Sequence, residues 1–446
     1  MNPRIPLAPG AWPVLGHAPA LVRNPANWLS ACRRAGDVVQ VNLGTRRVHL
    51  LCAPRLANDV LVVHDDRYDK GGPLYERAAE VLGEGLFTAT GHEHRRQRRL
   101  LQPAFSPANI DTYTGAIHDE ATALADSWHP HQEVDVLDAM HAFTTGVLRR
   151  VLIPTAPLPS GTWLATRIKT VSDTVALNTL APFTRHLPTP GRRRSREALR
   201  DIRAAADHTV RTGRTSPDSS RLIAALTKPD PDGDLLSDEN LSDQIITMFG
   251  AGTETTAAIL AWILHLLADH PGIEHRLHEE LHTVLHDRLA TPADFRDLPH
   301  TRNVITETLR LYPTLWLTTR VSTADVTLAG HRFTAGTDFV LSPYQLQRDP
   351  AVFPHPDTFD PDRWNTRTTG PARQAFTAFS AGRRKCIGDA FALAEATIVL
   401  SALIPRWQLR PVNPAHPARP RFRTLLTPHR RRMTAVPRHP TPQIPR

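Results

Sequence analysis

One cysteine of the sequence stands where its sulfur could do chemistry. In the stretch FSAGRRKCIGDAFA, residues 379–392, Cys386 follows three consecutive cations and precedes an apolar helical pattern. A thiol at the start of a helix faces unpaired backbone N–H groups and the positive end of the helix dipole, so this setting favours the thiolate. Gly382 and Gly388 are small enough to let something flat approach the backbone. The alternative is a buried cysteine that acts only as a small hydrophobic residue.

A second group of polar residues interrupts an apolar helical pattern. The sequence AGTETT, residues 251–256, lies between Phe249 and Ile259. Buried polar groups are costly unless they are paired or functional, and threonine side chains that bond back to the backbone can open a helix locally. The stretch is therefore either one polar edge of a helix or part of a site.

Two pairs of charged residues share helical faces. Glu307 and Arg310 stand at i, i+3, a spacing that by itself indicates a surface ion pair worth a few tenths of a kcal/mol. His94 and Arg98 stand at i, i+4 within HRRQRR, which by itself indicates a solvated face or a nucleic-acid patch. Aromatic residues make up only 6% of the chain and none clusters in the arginine runs. Nucleic-acid binding is therefore not expected.

A zinc peptidase is a remote alternative. Residues 278–282, HEELH, fit the HExxH pattern, with Glu279 as general base and Glu307 as a conceivable third ligand. The two histidines lie beside an apolar stripe of their helix, and with 23 histidines in the chain an accidental match is unsurprising.

These residues are positioned by a chain whose patterns are mainly helical. Residues 38–52 alternate as a strand hairpin would, residues 314–345 return to β-branched residues and glycine turns, and a small hairpin is expected near Leu425. Helices are predicted at 92–101, 116–128, 137–152, 196–212, 243–270, 273–285, 301–311 and from 387 to about 403. No linker divides the chain, so we expect one domain over 1–446, β-containing at about 1–70 and 314–345 and helical at about 90–312 and 386–405.

Composition places the protein in a broad class. The net charge of +9 and pI near 10 fit nucleic acid, an anionic membrane or an acidic protein partner. Three cysteines without a CxxC pair favour a reducing, cytoplasmic setting. The most apolar run, 257–268, is shorter than the ~18–20 residues of a bilayer span. We expect a cytoplasmic monomer without a membrane span.

Four separated motifs, in this order along the chain, resemble those of the cytochrome P450 superfamily. His94 and Arg98 match its propionate-binding pair, and AGTETT matches its oxygen-binding helix. ETLR resembles its ExxR motif, which Arg363 of DPDRW would complete. The cysteine stretch has the spacing of its haem-binding signature, carried by Phe379, Gly382, Arg384, Cys386 and Gly388. One position differs, because the family usually has glycine where Ser380 stands.

The resemblance implies a fold, a cofactor and roles for these residues. The fold would be triangular and mainly α-helical with small β-sheets, and haem b would lie between the helix carrying Gly252 and the helix after Cys386. Cys386 would be the axial iron ligand, beside Phe379. Haem propionates would bind His94, Arg98, Arg320 and Arg384.

The resemblance also implies roles in the reaction. In the motif that begins at Ala251, Gly252 would leave room for dioxygen, and Glu254 and Thr255 would deliver protons as the O–O bond is split. Glu307, Arg310 and Arg363 would form a buried structural triad.

The implied activity is a monooxygenase that inserts one oxygen atom of O2 into a hydrophobic small molecule. By position in the family, the substrate pocket would involve Ala251 and the larger apolar residues Leu86, Phe87, Phe249, Leu315, Leu317 and Leu426. The first hundred residues are similar to bacterial terpene oxygenases of the pentalenene oxygenase type, so a terpenoid is expected, with a polyketide or fatty acyl substrate as the alternative.

The sequence has no GxGxxG fingerprint or flavin-binding region. Electrons would therefore come from NAD(P)H through a separate ferredoxin and ferredoxin reductase, and an acidic partner would suit the face near Cys386.

Overall fold

Helices dominate the chain. The computed structural model describes residues 4–153, 161–180, 190–215, 221–227, 229, 233–366 and 370–438. Within these ranges the helices are α1 (Ala18–Arg23), α2 (Pro25–Ala35), α3 (Pro54–Asn58), α4 (Pro73–Leu82), α5 (Gly91–Leu101), α6 (Pro107–Asp126), α7 (Val136–Leu152), α8 (Gly161–Leu180), α9 (Pro190–Thr215), α10 (Arg221–Leu226), α11 (Asp238–Asp269), α12 (Pro271–Leu285), α13 (Pro299–Leu311), α14 (Pro343–Leu346), α15 (Gly370–Ala375) and α16 (Asp389–Leu403). The prediction of a mainly helical chain with small sheets is confirmed.

The strands form small sheets. They are β1 (Val38–Leu43), β2 (Arg46–Leu51), β3 (Tyr68–Asp69), β4 (Glu133–Asp135), β5 (Thr318–Ser322), β6 (Val326–Leu328), β7 (His331–Phe333), β8 (Asp338–Leu341), β9 (Trp407–Pro411), β10 (Pro420–Phe422), β11 (Leu426–Pro428) and β12 (Arg432–Pro437). The largest sheet has the order β1-β2-β8-β5-β3, so it joins the N-terminal hairpin to strands almost 300 residues later. β3 pairs antiparallel with β5, with Asp69 opposite Val321. This pairing brings the residues after β3 beside Arg320.

Helix α11 is the central element of the largest core. Its residues from Ala257 to Leu267 are all buried, and it packs against α7 and α9. Among the described residues it is the one helix long and apolar enough to cross a membrane, and 72% of its most apolar window is buried inside the protein. A helix that is apolar all round is expected in the core of a large protein.

Two helices, α11 and α6, begin earlier in the chain than predicted. Helix α11 begins five residues before the predicted position because the Ser237 hydroxyl accepts a hydrogen bond from the Asn240 N–H (3.1 Å), and Asp238 and Glu239 occupy the first turn. Helix α6 begins at Pro107, nine residues before its prediction. Proline is favoured at a first turn because its fixed φ suits the helix and its missing N–H needs no partner there.

Candidate active site

The cysteine lies in a tight loop between α15 and α16. The Cys386 N–H donates to the Phe379 carbonyl (2.8 Å), which closes the loop over a short helical turn at Gly382–Arg384. Gly382 has φ +68°, and a Cβ there would lie 1.8 Å from the Leu61 carbonyl oxygen. Only glycine allows the loop to pack this closely against the segment around Leu61.

The thiol of Cys386 has opposing influences on its pKa. Desolvation is the largest and raises the pKa, and Asp389 also raises it, whereas the Gly388 backbone N–H, Arg98 and Lys385 lower it. Of the three cations that precede the thiol in the sequence, only Lys385 is among the groups that lower its pKa, and desolvation outweighs them, so the pKa is raised overall. Coordination to a metal ion would deprotonate this thiol outright.

Three arginines from separate elements meet at the cysteine loop. On α5, the Arg98 Nη1 donates to the Lys385 carbonyl (2.6 Å). On β5, the buried Arg320 donates from Nη2 to the Ser380 hydroxyl (3.3 Å). In the loop itself, the Arg384 Nε donates to the Asp69 carboxylate (2.9 Å). The structure thus places the three arginines predicted to bind propionates at the same loop.

His94 lies one turn before Arg98 and is buried, 4% exposed. Burial, together with the nearby charges of Lys70, Arg384 and Arg98, lowers its pKa to about 3. The histidine is therefore neutral in this setting. A neutral histidine can donate one N–H to a carboxylate, so the predicted contact of His94 with a propionate stays a prediction.

Two residues of this region were missed by sequence reasoning, Asp69 and Lys70. Asp69 accepts from the Arg384 guanidinium through Oδ1 and from the Gly91 N–H through Oδ2 (2.6 Å), so it joins the cysteine loop to the start of α5. Lys70 donates from Nζ to the carbonyls of Leu86 (2.6 Å) and Phe87 (2.9 Å). The only signal in the sequence was two opposite charges after a short strand, which is too common to be specific.

Ser380, the residue that differs from the family signature, has a left-handed backbone with φ +58°. Glycine adopts this conformation without steric cost, which explains why it is usual at this position. In this chain the serine hydroxyl accepts the hydrogen bond from Arg320 described above. The serine therefore adds a hydrogen bond with Arg320 that a glycine at this position could not make.

The polar motif of α11 lies in the part of the helix that keeps accessible surface. Ala251 is exposed and Gly252, Glu254 and Thr255 are half-buried, whereas the following turns are buried. The Thr255 hydroxyl donates to the Ala251 carbonyl (2.5 Å), a bond back to the helix backbone. Burial raises the pKa of Glu254 to about 7, partly offset by a hydrogen bond from Ser172 of α8 and the charge of Lys169. Glu254 is thus an acid that can exchange a proton near neutral pH.

Gly252 has a packing reason for its small size. A Cβ there would lie 2.7 Å from the Leu148 Cδ1 of α7. The missing side chain therefore faces the neighbouring helix, and the role of Gly252 in leaving room for dioxygen stays a prediction.

The Glu307 carboxylate is completely buried and binds several donors. Arg310 donates to both of its oxygens (2.8 Å each), and the Arg363 Nε donates to Oε1 (3.0 Å). The Trp364 indole N–H donates to Oε2 (2.9 Å), a contact that sequence reasoning missed. The residues predicted as a triad are thus brought together, with Trp364 as a further donor.

The contacts of Glu307 also test the alternative that residues 278–282 form a zinc site. The donors just described occupy the Glu307 oxygens, so Glu307 is not available as a third ligand to residues 278–282. In that segment Glu279 instead contacts His275 (3.2 Å). Among the described residues no group of three or more His, Cys, Asp or Glu side chains is arranged to hold a metal ion.

The residues predicted to line a substrate pocket divide into two groups. Leu86, Phe87, Leu315 and Leu317 are half-buried, and Phe87 packs on the ring of Tyr75 (5.1 Å between centroids). Phe249 and Leu426 are 2% and 0% exposed and belong to hydrophobic cores. These two residues pack against protein, and their place in a substrate pocket stays a prediction.

The donor set around Cys386 fits a haem. A thiol suits iron, and three arginines, Lys70 and a neutral histidine suit two carboxylates. A Cβ at Gly388 would meet only a ring carbon of Phe105 at 3.9 Å, an ordinary contact, so protein packing does not demand this glycine. A flat group could approach the backbone there.

Comparison with known proteins agrees with this geometry. A family model for cytochrome P450 matches residues 6–435. The pentalenene oxygenase of Streptomyces avermitilis is 40% identical, covering 97% of each chain. From Streptomyces melanosporofaciens, cyclooctat-9-en-7-ol 5-monooxygenase is 40% identical, covering 91% of this chain and 89% of its own, and cyclooctatin synthase is 39% identical, covering 97% and 95%. Because the match spans nearly the whole chain, the protein belongs to the cytochrome P450 family and is a monooxygenase.

Proposed function

We propose that this monooxygenase, acting as one catalytic domain over 1–446, oxidises a terpenoid. One oxygen atom of O2 enters a C–H bond of the substrate as a hydroxyl group, and the other leaves as water with two electrons and two protons. The identity of about 40% with three relatives named for pentalenene and cyclooctatin chemistry supports the substrate class. The half-buried apolar side chains Leu86, Phe87, Leu315 and Leu317 suit such a hydrophobic molecule.

The observation that carries the proposed cofactor site is the meeting of Arg98, Arg320 and Arg384 beside Cys386. Cys386 would ligate the iron, beside Phe379, and the arginines would bind the haem carboxylates together with the neutral His94. When bound, the haem supplies the oxygen activation and the redox chemistry. Gly382 would hold the loop close to the segment around Leu61, and Gly388 would let the porphyrin approach.

The protein's own contribution includes the supply of protons. Glu254 would take up a proton on the side of α8, where Ser172 and Lys169 influence it. Thr255, the next residue of the exposed turn, would pass the proton on through its hydroxyl. Burial keeps the acid partly protonated near pH 7, which suits a proton donor at neutral pH.

The electrons would come from NAD(P)H through a separate ferredoxin and ferredoxin reductase. Arg383 and Lys385 flank the proposed ligand and have side chains 58% and 51% exposed. Exposed cations near the cofactor would steer an acidic donor towards it.

The cofactor proposal is tested by a carbon monoxide difference spectrum of the reduced, haem-loaded protein. We expect the red-shifted Soret band of a thiolate-bound haem in wild type, its loss in Cys386→Ala, and its retention in Cys52→Ala, which removes a buried thiol elsewhere. Haem-loaded wild type without the band would overturn the proposal.

The substrate proposal is tested by a spectral binding screen of cyclic terpenoids against fatty acyl and polyketide compounds, followed by product analysis of the compounds that bind. We expect the terpenoids to bind more tightly and to yield hydroxylated products. Equal responses from acyl compounds would remove the preference for terpenoids.

A further inference from the structure

Lys70 is a buried basic residue, and within the described part of the chain the hydrogen bonds of its side chain go to one loop. Its residue is 7% exposed, and Nζ donates to the carbonyls of Leu86 and Phe87. Lysine is almost never fully buried unless it is paired. Among the described residues, no carboxylate lies within ion-pair distance of this Nζ. An ammonium group has three N–H donors, so one remains after the two loop carbonyls.

Other cations surround this ammonium group. The pKa of Lys70 is lowered to about 7, chiefly by burial; the charge of Asp69 opposes this shift, and the charges of Arg320, Arg384 and Arg98 add to it. Asp69 is already bound by Arg384 and the Gly91 N–H. Lys70 and Arg320 are buried, Arg98 and Arg384 are half-buried, and one engaged carboxylate does not balance their charge, so a further anion bound among them would be favourable.

The loop that Lys70 holds carries two of the predicted substrate contacts. The Leu86 N–H donates to the Gln244 side chain of α11 (2.8 Å), so α11 holds the loop through a backbone N–H group. Lys70 holds the same loop through two backbone carbonyl groups. Phe87 also packs on Tyr75, whose hydroxyl lies 3.2 Å from the Thr318 hydroxyl, two residues from Arg320.

We propose that Lys70 is a positioning residue that binds a haem carboxylate through one N–H while its other two N–H groups hold the loop carrying Leu86 and Phe87. The placement of this substrate loop would then depend on the cofactor. This inference rests on the proposed haem site.

The test compares Lys70→Met with Arg98→Met in the haem-loaded protein. Arg98 belongs to the same group of cations, but its side-chain hydrogen bond among the described residues goes to the Lys385 carbonyl and not to the substrate loop. Two quantities are measured: the rate of haem transfer to excess apomyoglobin, and the hydrogen exchange of peptides covering 84–89. We expect both variants to release haem faster, by about tenfold for loss of a charged hydrogen bond. Only Lys70→Met should also speed exchange of the loop, by a similar factor.

Two further variants keep the inference testable if Lys70→Met folds poorly. Lys70→Arg keeps charge and donors and should stay close to wild type in both measurements. Lys70→Gln keeps donors without charge, so it should release haem faster with a smaller change in loop exchange. Faster loop exchange with unchanged haem release would show a loop tether alone, and the reverse would show a cofactor contact alone. Either result overturns the inference.

The carbon monoxide spectrum separates this test from that of the proposed function. If wild type lacks the thiolate band, the haem site itself is wrong. If wild type has the band and Lys70→Met leaves both measurements unchanged, only the role of Lys70 is wrong.

Discussion

One residue of the cysteine loop, Ser380, combines backbone strain with a hydrogen bond to Arg320. Ser380 has φ +58°, a conformation that costs a residue with a Cβ about 1 kcal/mol relative to glycine. Ser380→Gly removes both the strain and the hydroxyl that accepts from Arg320, whereas Ser380→Ala removes only the hydroxyl. We expect the glycine variant to be more stable than the alanine variant by about 1 kcal/mol in urea unfolding. Equal stabilities would mean that the left-handed conformation is not retained in solution.

Glu254 allows a prediction on pH dependence. Its pKa is raised to about 7 by burial, so its protonated form predominates below pH 7 and is depleted above it. If Glu254 donates protons, turnover with saturating electron donor should fall as the pH rises through about 7. Glu254→Gln should lose this limb and be about 100-fold slower, the usual size of a general acid contribution. Glu254→Asp, which keeps a carboxyl group, is the control and should retain a limb, and a Gln variant with a wild-type profile would exclude the role.

At the scale of elements, the Glu307 network joins α13 to the turn at Pro361–Trp364. Trp364→Phe removes the indole N–H that donates to Glu307 and leaves a buried carboxylate with one donor fewer. A hydrogen bond to a charged group is worth about 1.5–3 kcal/mol, against about 0.5–1.5 kcal/mol for a neutral one. Trp316→Phe is a matched control, because its indole donates to the neutral Arg423 carbonyl (2.7 Å).

We therefore expect Trp364→Phe to lower the free energy of unfolding more than Trp316→Phe, by about 1 kcal/mol. Urea unfolding of the two haem-loaded variants measures the difference. A smaller loss for Trp364→Phe would mean that the remaining donors to Glu307 compensate for the missing one.

The same elements show what the sequence could predict. Helical spacing found α5, α7, α12 and α13 within a few residues, because one buried face fixes the period. The spacing did not find the first turns of α6 and α11, because these turns are polar. Helix α6 begins at a proline, and α11 begins after a capping serine. The alternation around Gly44 found the hairpin of β1 and β2, but nothing local indicated that β8 would pair with β2.

At the scale of the whole molecule, short motifs located the site and long-range contacts determined its details. Cys386, Arg98 and Arg320 were predictable because a resemblance places them, and the structure brings them together. The roles of Asp69, Lys70 and Trp364 depend on partners 16 to 315 residues away in sequence, and no local pattern encodes those contacts. The burial of Phe249 and Leu426 likewise depends on packing between distant elements.

The net charge of +9 also belongs to the whole molecule, although many of the arginines are individually paired with acids. Arg383 and Arg432 are both exposed and each contacts one acid, Asp65 (3.1 Å) and Glu133 (2.9 Å), respectively. They differ in place, because Arg383 is three residues from Cys386 whereas Arg432 begins β12, in the sheet with β4 and β9.

If an acidic ferredoxin docks near the cysteine loop, Arg383→Gln should slow the second-order reduction of the haem-loaded protein at low salt, and Arg432→Gln should not. Stopped-flow measurements give the reduction rate as a function of ionic strength, and the wild-type rate should fall steeply as salt screens the attraction. Equal slowing in the two variants would show that only net charge matters and would place no docking site near Cys386.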